Sequence, residues 1–89
     1  MLPESQARLL RLLARYPDEL SDAWDVPREL SLPGLSESLG LVRSALHEPI
    51  KALEEQGLVQ TRNAHVIGGG SRKRSVVHLT AKGRQQASA

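Results

Sequence analysis

Cysteine is absent from this 89-residue chain, so no disulfide and no thiolate metal site can staple the fold. Phenylalanine is absent too, and Tyr16 and Trp24 are the sole Tyr and Trp. Any core must therefore be built from Leu, Val, Ile and Ala. No apolar run approaches the roughly 18–20 residues of a membrane span. Arg8, Arg11 and Arg15 interrupt the leucines of the amino terminus, so a signal-peptide pattern is missing. A single cytoplasmic domain spanning residues 1–89, with no membrane partner, is the expectation. One further absence is local: no acidic residue follows Glu55.

That last absence makes the charge lopsided. The net charge is only +2, yet residues 1–56 hold ten acids against six bases. Residues 57–89 hold six bases, Arg62, Arg72, Lys73, Arg74, Lys82 and Arg84, and no acid. A basic pole of this kind raises the local concentration of anions and favours phosphate.

The chain divides into short periodic segments. In residues 4–16, Leu9, Leu12, Leu13 and Tyr16 keep the spacing of one apolar helical face. Arg8, Arg11 and Arg15 form a neighbouring solvated stripe, and Pro17 ends the helix or begins the next one as its first residue. A short helix is expected over 18–24, stopped by Pro27, with a very short strand at Ser31-Leu32. Trp24 is expected to anchor the core or its edge, because large side chains are so few. Asp18, Glu19, Asp22 and Asp25 form a solvated acidic face without His or calcium-loop spacing, so no metal is expected. Pro33 suits the start of a second helix carrying Leu35 and Leu39, and Gly40 supplies the left-handed turn that ends it. A third helix, about Arg43 to Gln56, buries Leu46, Ile50 and Leu53, and Gly57 terminates it. A strand follows from Leu58-Val59 to about Ile67. Gly68-Gly69-Gly70 marks a turn, and Val76 to Leu79 returns. Alternation along that strand turns His78 outward. Thr80 can cap a last short helix from Ala81 to about Ala87.

The pieces Leu35-Ser36-Glu37-Ser38-Leu39-Gly40-Leu41, Arg43-Ser44-Ala45-Leu46, Leu53-Glu54-Glu55-Gln56-Gly57-Leu58-Val59 and Leu79-Thr80-Ala81-Lys82-Gly83-Arg84 occur in this order and spacing. Together they resemble the winged helix-turn-helix of MarR- and ArsR-type transcription regulators. The last is similar to the LT-x-KG sequence that follows the wing in such proteins. The resemblance implies a mainly α fold with a small β-hairpin: a three-helix core, a helix-turn-helix over about 33–57 and a two-stranded wing over about 58–80. It implies sequence-specific binding to double-stranded DNA in transcription regulation. Winged helices also serve as protein-protein or assembly modules, which is the alternative reading. In dimeric relatives of this kind long flanking helices pair, so the leucine stripe of the first helix is the expected surface of any homodimer.

By the same resemblance the third helix enters the major groove. Arg43 would bond guanine or clamp a phosphate, and Ser44 and His47 would meet phosphate or a base edge. Lys51 would meet the backbone. Pro49 departs from the pattern. Either it kinks this helix, or the regular part begins near His47 with Pro49 in its first turn. At the hairpin tip, Arg72, Lys73 and Arg74 can reach phosphate or a narrow minor groove, and Arg62 and His65 would extend the footprint. The GGGSRKRS segment lacks the spacing of a nucleotide-binding loop. No nucleophile, base and acid converge by spacing, so neither enzyme activity nor a cofactor is expected.

Overall fold

A computed structural model describes residues 2–17, 23–70 and 72–88. Its elements in chain order are α1 (Glu4–Leu13), β1 (Asp25–Val26), a 3-10 turn (Arg28–Leu30), α2 (Leu32–Leu39), a second 3-10 turn (Arg43–Leu46), α3 (His47–Glu55), β2 (Val59–Val66), β3 (Lys73–Leu79) and α4 (Ala81–Ser88). The molecule is thus mixed α/β, with four α-helices and a three-stranded sheet among the described residues.

The expected two-stranded hairpin gains a third strand. β2 lies in the middle. β3 runs antiparallel on one side, with Val59 opposite Leu79 and His65 opposite Lys73. β1 runs parallel on the other, with Asp25 opposite His65 and Val26 opposite Val66. Ser31 then makes an isolated bridge to Val76, on the far edge of β3. Residues 25–31 therefore cross the hairpin from edge to edge. The short strand expected at Ser31-Leu32 is reduced to this bridge, because Leu32 already opens α2. The helix expected over 18–24 lies outside the described residues except for Ala23 and Trp24, which are not helical. Of the acidic cluster, Asp18, Glu19 and Asp22 also lie outside them, and Asp25 is an exposed strand residue.

One aliphatic core joins the elements. Leu9, Leu13, Leu35, Leu39, Leu46, Ile50, Leu53 and Leu58 are all buried in it, alongside Val77 and Leu79. The inner face of α1 is Leu9, Leu10 and Leu13, with Leu12 and Tyr16 only partly covered. Most of its leucine stripe is therefore spent inside the monomer, which leaves Leu12 and Tyr16 partly exposed. A second set, Val26, Leu30, Ala64, Val66 and Val76, extends the same core beneath the crossing segment. Burying such side chains contributes about 1.5–3 kcal/mol each before entropy is counted.

Local chemistry explains the boundaries. Ser31 caps α2: its Oγ accepts from the Gly34 amide at 3.4 Å and donates to the Arg28 carbonyl at 2.6 Å. Gly40 closes α2 at φ 67°, a conformation that costs an L side chain about 1 kcal/mol or more. Arg8 of α1 reaches the exposed end of α2, its guanidinium donating to the Leu39 carbonyl at 3.0 Å. The carbonyls at the carboxyl end of α3 are met by the segment that follows β3. Thr80 Oγ1 donates to the Gly57 carbonyl at 2.6 Å, and Lys82 Nζ donates to the Gln56 carbonyl at 2.9 Å. Thr80 also caps α4 by accepting from the Gly83 amide at 3.0 Å. A cation at a helix carboxyl terminus suits the macrodipole. The Leu79-Thr80-Ala81-Lys82-Gly83 sequence is thus a latch on the α3–β2 corner.

Two side chains depart from expectation. His78 is only 6% exposed. The Val76 to Leu79 half of β3 is buried throughout, because α1, α2 and α4 all pack against it. A strand covered on both faces loses its inside-outside alternation. Trp24 is 73% exposed and anchors no core. No helix among the described residues is long and apolar enough to cross a membrane.

Candidate nucleic-acid interface

Pro49 decides how the expected reading residues are presented. α3 begins at His47, which puts Pro49 in its first turn, where the missing N–H has no partner to lose. Arg43 and Ser44, expected on this helix, lie instead on the 3-10 turn that leads into it. The second of the two arrangements that the proline allowed is the observed one. Val42, Arg43, Ser44 and Ala45 are exposed, while Leu46 is buried and pins the turn to the core.

The 3-10 turn faces the hairpin across a cleft of about 380 Å³. Arg43 of the turn and Arg74 of β3 both line it, together with Arg28, Ser31 and Ser75. Three arginines from three separate segments thus line one opening. Arg28 is partly engaged. It donates twice to the Glu37 carboxylate, at 2.6 and 2.8 Å. These hydrogen bonds, and the charge of Arg28, hold the Glu37 carboxyl below its ordinary range. The same hydrogen bonds and the Glu37 charge raise Arg28. Both side chains are solvated, so the pair positions Arg28 more than it stabilises the fold.

A second groove continues from the first and shares Ser75 with it. His47, Lys51 and Glu54 of α3 line one wall, and Thr61 and Ser75 of the hairpin the other. His47 and Lys51 therefore share one face of α3 at i, i+4 spacing, and Arg43 precedes them on the 3-10 turn. The Glu54 carboxylate, which accepts from Thr61 Oγ1 at 3.1 Å, closes the far end with the opposite charge. Ser44 is exposed but lines neither groove.

At the hairpin end Gly68 and Gly70 adopt φ of 81° and 77°, which makes a tight reversal. Arg72, Lys73 and Arg74 follow it as exposed side chains. Arg62 does not line the Arg43–Arg74 cleft but shares another with Lys73. It is half-buried, and its guanidinium donates to the Ala23 carbonyl at 2.8 Å, bracing the chain before β1. His65 lines that same cleft, beside Trp24.

The structure therefore puts Arg43 and Arg74 on one cleft, His47 and Lys51 on the adjoining groove, and Arg62 and His65 with Lys73 on a separate cleft. Sequence reasoning missed Arg28 and Ser75. Arg28 sits fifteen positions before Arg43 in an aperiodic segment, so no spacing could mark it. Among the described residues, no group of three His, Asp or Glu side chains is arranged to hold a metal ion. No family model matches the chain, and neither the curated proteins nor the solved structures yield a match.

Proposed function

We propose that the domain is a winged helix-turn-helix that binds double-stranded DNA as a transcription regulator. In this reading α2 and α3 form the helix-turn-helix. The Arg43 turn and the first turn of α3 enter the major groove, and the β2–β3 hairpin is the wing. The observation that carries it is that Arg43 and Arg74 line one open cleft, next to an exposed cationic hairpin tip. A phosphate strand lying in that cleft would meet both, with the 3-10 turn in one groove and the tip in the next. Phosphate contacts set register and affinity, and Arg43, at the groove edge, is the residue placed to read a base.

The second reading is a winged helix that docks a protein. Glu48, Glu54 and Glu55, all exposed on α3, favour it, since carboxylates repel phosphate. Gel shift over a salt titration separates the two. Phosphate-driven binding weakens linearly in log salt, whereas apolar docking does not.

Two expected results follow from the geometry. Replacing Arg72, Lys73 and Arg74 together by Ala should weaken binding to any duplex and flatten the salt slope by about 0.9 for each phosphate no longer neutralised. The melting temperature should stay put, because all three are exposed. An unchanged slope removes the tip from the interface. Arg43→Ala should cost about 1–3 kcal/mol on a preferred site and much less on random duplex if it reads a guanine. Competition assays against both duplexes measure the difference, and an equal loss on both assigns Arg43 to phosphate.

A further inference from the structure

The domain leaves its largest side chain in water. Trp24 is 73% exposed although this chain has no other Trp and no Phe to place in its core. A single exposed apolar side chain is ordinary in itself; what sets this one apart is the ring it is stacked on. The indole is ordered by its neighbours. One face stacks on the His65 imidazole, with ring centroids 4.8 Å apart and planes 26° from parallel. The Ala23 carbonyl before it is tied down by Arg62. β1 fixes the chain after it by pairing Asp25 with His65. Across the sheet, Lys73 stands directly opposite His65. Trp24, His65, Asn63, Arg62 and Lys73 line a cleft of about 250 Å³. The nearest carboxylate along this row is Asp25, which is exposed.

We propose that the Trp24–His65 stack is a platform for an unpaired nucleobase, on a single strand that continues from the hairpin tip. A held aromatic face with a cation beside it is what single-stranded nucleic acid requires. The base stacks on the ring and the adjoining phosphate meets the cation. Lys73 belongs both to this cleft and to the cationic tip, so the two surfaces are continuous. A purely apolar partner would leave Lys73 unmatched. In its full form the proposal rests on the reading of the tip as a nucleic-acid surface. It adds a preference for duplex that carries a single-stranded tail or an opened base pair.

Three probes test it on the intact chain: an oligothymidylate of about eight nucleotides, a blunt duplex, and the same duplex with a single-stranded tail. The lone tryptophan makes fluorescence a direct reporter. The oligothymidylate should quench Trp24. The tailed duplex should bind roughly tenfold tighter than the blunt one by anisotropy of labelled DNA. Trp24→Ala should abolish that advantage and leave blunt-duplex affinity and its salt slope unchanged, because stacking releases no counterions. Trp24→Phe should restore part of the advantage. Absence of quenching, or equal affinity for tailed and blunt duplex by the parent chain, overturns the platform even where blunt duplex binds. Quenching by oligothymidylate without any duplex binding supports the platform and sinks the duplex reading instead.

Discussion

Leu53→Ala is expected to lower the unfolding free energy by about 2–5 kcal/mol. Leu53 is fully buried, at 0% exposure, in the stripe where α3 meets α1. Truncation removes its transfer energy and leaves a cavity that neighbours such as Leu46 and Leu58, themselves closely packed, cannot collapse to fill. A domain of this size has about 5–15 kcal/mol in total and sits toward the lower end. The variant should therefore be partly unfolded or melt far below the parent in urea followed by far-ultraviolet circular dichroism. Leu53→Met, which keeps the volume, should cost less than about 1.5 kcal/mol. If Leu53→Ala melts with the parent, α3 does not present this face to the core.

Gly83→Ala should be nearly as damaging, against the ordinary rule for helices. Alanine in place of glycine within a helix normally stabilises by about 1 kcal/mol. Here a Cβ on residue 83 would lie 1.9 Å from the Leu58 carbonyl oxygen and 2.8 Å from its carbon. Both atoms are backbone at the start of the hairpin, so they cannot swing aside. α4 would have to retreat. In retreating it would loosen the Thr80 and Lys82 hydrogen bonds to the end of α3. Overpacking and the loosened latch should outweigh the helix gain, for a net cost of about 3 kcal/mol. Gln85→Ala, exposed on the same helix, should stay within about 0.5 kcal/mol of the parent. A Gly83→Ala variant as stable as the parent would mean that α4 does not dock on this corner.

Much of the architecture is legible in the sequence because it is local. Apolar spacing marks α2 and α3, Gly40 and Thr80 mark their own turn and cap, and the glycine triplet marks the hairpin end. What escapes is set by distant chain. β1 is two residues long and exists through pairing with a strand some forty positions later, so no periodicity announces it. His78 looks alternating but is covered on both sides by helices from opposite ends of the sequence. Scarcity of large side chains points Trp24 inward, whereas its stack on His65 depends on that same long-range pairing. At the candidate interface, composition and resemblance name the tip cations and Arg43. That Arg43 and Arg74 share a cleft, and that Arg28 joins them there, depends on the crossing segment.

That crossing segment also governs the thermodynamics of whatever the hairpin grips. Residues 25–31 clasp the hairpin on both edges, through the Ile67 amide bonded to the Val26 carbonyl at 3.0 Å and the Ser31 bridge to Val76. The backbone is therefore ordered before any ligand arrives, almost to the glycine reversal. Only long side chains at the tip are left to immobilise, at about 0.5–1.5 kcal/mol each. Calorimetry of a complex would thus carry the small heat-capacity change of rigid docking, without the large one that accompanies folding upon binding.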